Sequence, residues 1–133
     1  MHTTIYGERT LTELDFSRLA KLFSGQLPTD LSDLLAATEI VASRDVPAKI
    51  VTMYSQVELV DTHTLRRQKL TVCFPGDAEP AAGFISVLSP VGLSLIGLAE
   101  GALARWHTPS GEKCSAEVAS VIFQPEASGD YTT

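Results

Sequence analysis

The sequence predicts an α+β protein: a short N-terminal antiparallel helical hairpin, then an antiparallel β-sheet that half-wraps one embedded helix. Three observations carry this. Apolar residues recur at helical spacing as far as about Pro47. Beyond Pro47 the pattern changes to short, alternating runs rich in β-branched residues. A single short helix signal, opened by Ser89-Pro90, interrupts those runs. The change of period divides the chain into a hairpin, 1–47, and a sheet domain with its C-terminal tail, 48–133.

In the first segment Leu14, Leu19, Leu22 and Phe23 fall close to one stripe of a helix over about Leu14–Ser24. Thr12 followed by Asp15 reads as a capping box. Gly25 supplies a C-terminal stop and Pro28 forbids continuation. A second helix is predicted over about Leu31–Ala42, with Leu31, Leu34, Leu35, Thr38 and Val41 on one face and Thr29 or Asp30 as its cap. A loop of about five residues folds two such helices back on each other.

In the second segment, strands are predicted at Lys49–Met53, Gln56–Val60 and Lys69–Phe74. The last of these places Leu70, Val72 and Phe74 on one face and Lys69, Thr71 and Cys73 on the other. Pro75-Gly76-Asp77 marks a turn and Phe84–Leu88 a further strand. A short helix follows over Val91–Leu98, closed by Gly97 or Gly101. Ala102–Thr108 and Cys114–Gln124 form the last strands about the tight turn Pro109-Ser110-Gly111. The polar tail Pro125–Thr133 is expected along the surface, with Tyr131 as its anchor, and Trp106 packs on the sheet.

Composition narrows the function. The 133 residues are 44% hydrophobic and 20% charged, which is a globular balance. The formal net charge is −6, with the excess of acids spread evenly over both segments. Sequence-independent nucleic-acid binding depends on Lys and Arg neutralising phosphates, so the charge opposes it. The basic run Arg66-Arg67-Gln68-Lys69 reads as a solvated hairpin edge that discourages edge-to-edge pairing. Cys73 and Cys114 are far apart and lack any CxxC spacing, so they read as reduced thiols of a cytoplasmic protein. The N-terminus lacks the pattern of a signal peptide, and the apolar stretch Ile85–Leu98 is too short and broken to span a membrane.

No catalytic constellation is present. The chain has no GxGxxG, Walker, HExxH or GxSxG pattern. His2, His63 and His107 are dispersed, so neither a metal site nor a cofactor is expected. Asp30 and Asp33 lie three residues apart at the hairpin tip. A carboxylate pair at that spacing could hold magnesium. The commoner role for Asp in a first turn is a cap that also complements the helix dipole.

One stretch carries a resemblance. Phe84-Ile85-Ser86-Val87-Leu88-Ser89-Pro90-Val91-Gly92, with Leu95-Ile96-Gly97 and Gly101 after it, is similar to the C-terminal domain of the bacterial transcript-cleavage factors GreA and GreB. Pro75-Gly76-Asp77-Ala78-Glu79 and Thr108-Pro109-Ser110-Gly111 resemble that family's turn and hairpin. The entry run Ile50–Ser55, the short hairpin and the tail Gln124–Tyr131 resemble a smaller subfamily, the regulators of nucleoside diphosphate kinase. The resemblance implies an FKBP-like C-terminal domain that binds RNA polymerase at the rim of its secondary channel. It assigns the contact loop to Leu88, Ser89, Pro90, Val91 and Gly92. Ser89 and Pro90 match the family; Leu88 stands where the family has an acid, and Ala102 where it has Asp.

Gre factors act by reach, presenting acids at the tip of a long coiled coil to the polymerase's magnesium. Helices of 11 or 12 residues give a hairpin of only about 16–18 Å. Asp30 and Asp33 mimic the acidic tip, but at that length they fall short of the active centre. The resemblance therefore implies a polymerase binder that competes with Gre-type factors without stimulating cleavage, and not an enzyme. Two other readings are a regulator of a metabolic enzyme such as nucleoside diphosphate kinase, and an FKBP-type peptidyl-prolyl isomerase.

Overall fold

The computed structural model describes residues 9–22 and 38–130. The first element is a short strand, β1 (Thr10–Thr12), which runs directly into helix α1 (Glu13–Leu22). Half of the predicted capping box forms: the Thr12 hydroxyl accepts from the Asp15 N–H at 3.0 Å, while the Asp15 carboxylate accepts from the Met53 N–H instead of reaching back. Leu11 and Leu19 are fully buried, so this segment shares the core of the sheet domain.

The second helix is corrected at its C-terminal end. Residues 31–37, and with them Asp33, lie outside the described residues, as does Asp30. Glu39–Val41, expected to be helical, form strand β2, paired parallel to β1 with Thr10 opposite Glu39 and Thr12 opposite Val41. Ile40 and Val41 are β-branched and suit an extended chain once a partner strand is available. The apolar spacing that suggested a helix does not decide between the two states there.

The main sheet has five strands in the order β5-β4-β3-β7-β6: β3 (Gln56–Asp61), β4 (Arg67–Cys73), β5 (Phe84–Ser86), β6 (Leu103–His107) and β7 (Lys113–Phe123). Three of its four pairings are antiparallel. The pairing of β4 with β5 is parallel, which corrects the purely antiparallel expectation. The ten residues between these two strands hold two single 3₁₀ turns, at Pro75–Asp77 and Pro80–Ala82, and return the chain to the same end of the sheet. Two register shifts between β3 and β7, at Gln56/Val57 and Glu58/Leu59, mark bulges that increase local twist.

One face of the sheet carries Val57, Leu59, Leu70, Val72 and Val118, and packs with Leu95 of helix α2 (Pro90–Leu95). Trp106 is half-buried against this core. Leu70 and Val72 are buried as their alternation predicts. Cys73, expected on the polar face, is buried too, opposite Ser86 of β5.

Two further expectations are corrected. Lys49–Met53 is not a strand. Its residues 51–53 are fully buried, and their backbone groups serve different partners: Val51 N–H reaches Leu98 O at 2.9 Å and Gly97 N–H reaches Val51 O at 2.8 Å. Met53 N–H is taken by a side chain, the Asp15 carboxylate, at 3.1 Å. The tail is also not confined to the surface. Glu126 is buried in a 3₁₀ turn at Glu126–Ser128, and just before the tail Gln124 is buried and donates to Pro47 O and Ile50 O, both at 2.8 Å.

Candidate functional site

The loop from β5 into α2 is built by its own small residues. Ser86 Oγ accepts from the Leu88 N–H at 3.0 Å. The Ser89 N–H returns to Ser86 O at 3.0 Å, closing the turn. Ser89 is the N-cap of α2: its hydroxyl donates to Ser86 O at 2.7 Å and accepts from the Gly92 N–H at 3.1 Å. Pro90 occupies the first helical turn, where a missing N–H costs nothing. Gly92 is set by close approach. A Cβ there would lie 2.0 Å from Ser86 O and 2.9 Å from Val87 Cα.

The five residues therefore divide by role. Ser89 and Gly92 are committed to holding the loop, and Val91 is half-buried against the core. Leu88, at 40% exposure, and Pro90 face outward and are available to a partner. Replacing Ser89 with Ala is expected to lower stability by about 1 kcal/mol through loss of the cap. Chemical denaturation of the variant checks this.

The far end of α2 is held by Arg9. Its guanidinium donates to Leu93 O at 3.0 Å and Ile96 O at 2.8 Å, satisfying carbonyls that a helix end leaves open. Burial lowers the Arg9 pKa to about 10. Sequence reasoning missed this residue. It lies 84 positions from its first partner, and nothing local marks it.

Because β4 and β5 run parallel, the chain leaves both strands at the same end of the sheet. The turn after β4 thus emerges on the same side as Leu88. In that turn Asp77 accepts a hydrogen bond from the Tyr54 hydroxyl. Tyr54 holds a φ of +66°, a strained value for an aromatic residue. Its ring lies 5.9 Å from that of Phe74, tilted by 58°, and Arg18 of α1 lies 5.9 Å from the Phe74 centroid on a cation–π approach. Burial and the bond to Asp77 push the Tyr54 pKa up to about 12.

The remaining sequence candidates sit apart. Arg67 pairs with Glu58 at 3.0 Å on the solvent face of the sheet, as an edge charge does. His63 lies in a β3–β4 turn organised by Asp61, whose carboxylate accepts from the His63 and Thr64 N–H groups at 2.8 and 2.9 Å. Among the described residues no three His, Cys, Asp or Glu side chains gather where they could hold a metal. Nor is any described helix long and apolar enough to cross a membrane.

A loop built in this way on a five-stranded α+β sheet defines a class. Residues 46–123 match the family described as transcription elongation factor GreA/GreB, C-terminal domain, and the chain belongs to it. It is 31% identical over 97 residues to the regulator of nucleoside diphosphate kinase of Escherichia coli, covering 73% of this chain and 71% of that protein. It is 41% identical over 75 residues to the transcription elongation factor GreA of Solidesulfovibrio magneticus, covering 56% of this chain but 45% of that one. The solved structure of the prokaryotic transcription elongation factor GreA/GreB from Nitrosomonas europaea superposes with a TM-score of 0.72 at 31% identity, covering 87% of this chain and 98% of that chain. These relatives are named as transcription factors or regulators, not as enzymes.

Proposed function

We propose that this chain is a cytoplasmic, non-catalytic regulator of transcription that docks at the rim of the RNA polymerase secondary channel through the loop Leu88–Gly92. The observation that carries the reading is the family match over residues 46–123, which takes in the whole of that loop. The geometry supports a division of labour within it. Ser89 and Gly92 fix the backbone, while Leu88 and Pro90 present an apolar contact. Interface energy concentrates in a few buried, mostly apolar or aromatic anchors, so one exposed leucine on a rigid loop is a suitable candidate.

The same reading holds that the protein competes with Gre-type factors without stimulating transcript cleavage. Support comes from the arm. The sequence predicts helices of only about 11 or 12 residues, a hairpin of about 16–18 Å. A carboxylate contributes to a metal site only by direct or one-water contact, so an arm that stops short adds no chemistry. The sheet domain is FKBP-like on this reading, but it serves as a docking body and not as an isomerase.

The test is capture by core RNA polymerase. Leu88→Ala is expected to weaken binding about tenfold, which corresponds to about 1.4 kcal/mol, with the melting temperature little changed. Wild-type affinity in that variant would remove the loop assignment. Failure of the wild-type chain to bind would remove the polymerase reading itself. Stalled elongation complexes should show no added cleavage, and strong stimulation by this protein alone would sink the competitor role.

A further inference from the structure

Six of the seven buried polar side chains among the described residues sit in three segments: Thr12 and Asp15 at the start of α1, Thr52 and Ser55 in the turn before β3, and Gln124 and Glu126 at the entry to the tail. Hydrogen bonds join them. The Asp15 N–H reaches Thr12 Oγ1 at 3.0 Å, and Met53 N–H reaches Asp15 Oδ2 at 3.1 Å. Thr52 Oγ1 donates to Glu126 Oε1 at 2.7 Å. The Thr52 hydroxyl proton is thereby used, so the Ser55 hydroxyl must donate in their 2.9 Å contact, while Ser55 Oγ accepts from the Thr52 N–H at 2.9 Å. Two carboxyl groups, from segments over a hundred residues apart in sequence, thus bracket residues 52 and 53. Among the described residues two fully buried side-chain oxygens have no hydrogen-bond partner, Gln124 Oε1 and Asp15 Oδ1.

We propose that Asp15 and Glu126 form a proton-operated latch that seats helix α1 on the sheet domain. A buried carboxylate oxygen without a donor is a costly place for negative charge, and a proton on it removes the cost. A second carboxyl group from the tail adds repulsion. Burial, and then Glu126, raise the Asp15 pKa to about 6 against the opposing pull of the Met53 N–H, Arg18 and Thr12. Among the described residues the charges around the site are few. Arg18 lies one turn on along α1, and Glu126 comes from the tail. The 52–55 turn brings only Tyr54, whose hydroxyl is held by Asp77. Strand β1 carries no charge, while Glu13 and Glu39 of the neighbouring elements point to solvent.

The sign follows from linkage. The seated state holds the Asp15 proton more tightly than the released state does. Seating is therefore strongest below about pH 4, weakens between about pH 4 and 6, and stays weaker above. Acidification tightens the arm, and the tail sets the pH at which it does so.

The isolated full-length chain tests this by NMR, without polymerase, so failure here leaves the docking reading untouched. The Met53 amide, bonded to Asp15, is the reporter. Its shift is expected to titrate with a midpoint near 6. Exchange protection of the α1 amides, corrected for intrinsic rates, should fall at least tenfold from pH 4 to pH 7. Glu126→Gln keeps an acceptor for Thr52 and removes the like charge, so the midpoint should drop. Asp15→Asn keeps an acceptor for Met53 and should leave protection flat with pH. A Met53 amide that does not titrate between pH 4 and 8, or an unmoved midpoint in Glu126→Gln, overturns the latch.

Discussion

Gly92→Ala is expected to destabilise the protein by about 3 kcal/mol, at the upper end of overpacking costs. The added methyl would meet Ser86 O at 2.0 Å, Ser86 C at 2.8 Å and Val87 Cα at 2.9 Å, all backbone atoms. No rotamer change relieves such a contact, so helix α2 must move off the β5 turn. That movement would also break the Gly92 N–H bond to Ser89 Oγ. For a chain of this size the melting temperature should fall by roughly 10 °C. Thermal denaturation followed by circular dichroism measures it, and a loss below 1 kcal/mol would show that the close approach is not rigid. The consequence for function is that glycine here maintains the loop from within. Binding lost in this variant would report a displaced loop and not a missing contact.

Leu19→Ala should cost about 3 kcal/mol, within the usual 2–5 kcal/mol for emptying a buried leucine site. Leu19 has no exposed surface and lies in the same cluster as Val51, Met53 and Leu95. Its loss opens a cavity between the N-terminal helix and the sheet domain. Two outcomes separate two pictures of the arm. Cooperative loss of stability throughout the domain shows that α1 is part of the core. A change confined to exchange of the α1 amides, with the global midpoint unmoved, would show the arm to be an appendage. The first is expected, because Leu11 and Leu19 share core neighbours with the sheet and Arg9 closes the end of α2.

The parts of this protein that could be read in advance are those whose partners lie nearby in sequence. The Thr12 cap, helix α1, the β3–β4 and β6–β7 hairpins, and the Ser89-Pro90 helix start all rest on contacts between near neighbours. The family could be read from the loop residues themselves, since Ser89, Pro90 and Gly92 are fixed by turn geometry and close approach. What failed was periodicity where two structures share it. Thr38 and Val41 continue the helical stripe, yet the β-branched pair Ile40 and Val41 suits a strand as well. The choice of strand came from pairing with Thr10–Thr12, some thirty residues earlier. Lys49–Met53 has the composition of a strand but became a buried turn segment, because its donors and acceptors are claimed by Asp15, Gly97 and Leu98.

The same division holds at the candidate site. By itself the sequence marked the helix start at Ser89-Pro90 and pointed to the family. The tertiary structure alone decided which loop residues face outward. It also placed Arg9 on the last carbonyls of α2 and brought the tail's Glu126 to the same turn that Asp15 grips. The physical reason is distance along the chain. A cap or a close turn is specified by residues three or four apart. A buried carboxyl pair drawn from opposite ends of the chain has no local signature until the core assembles around it.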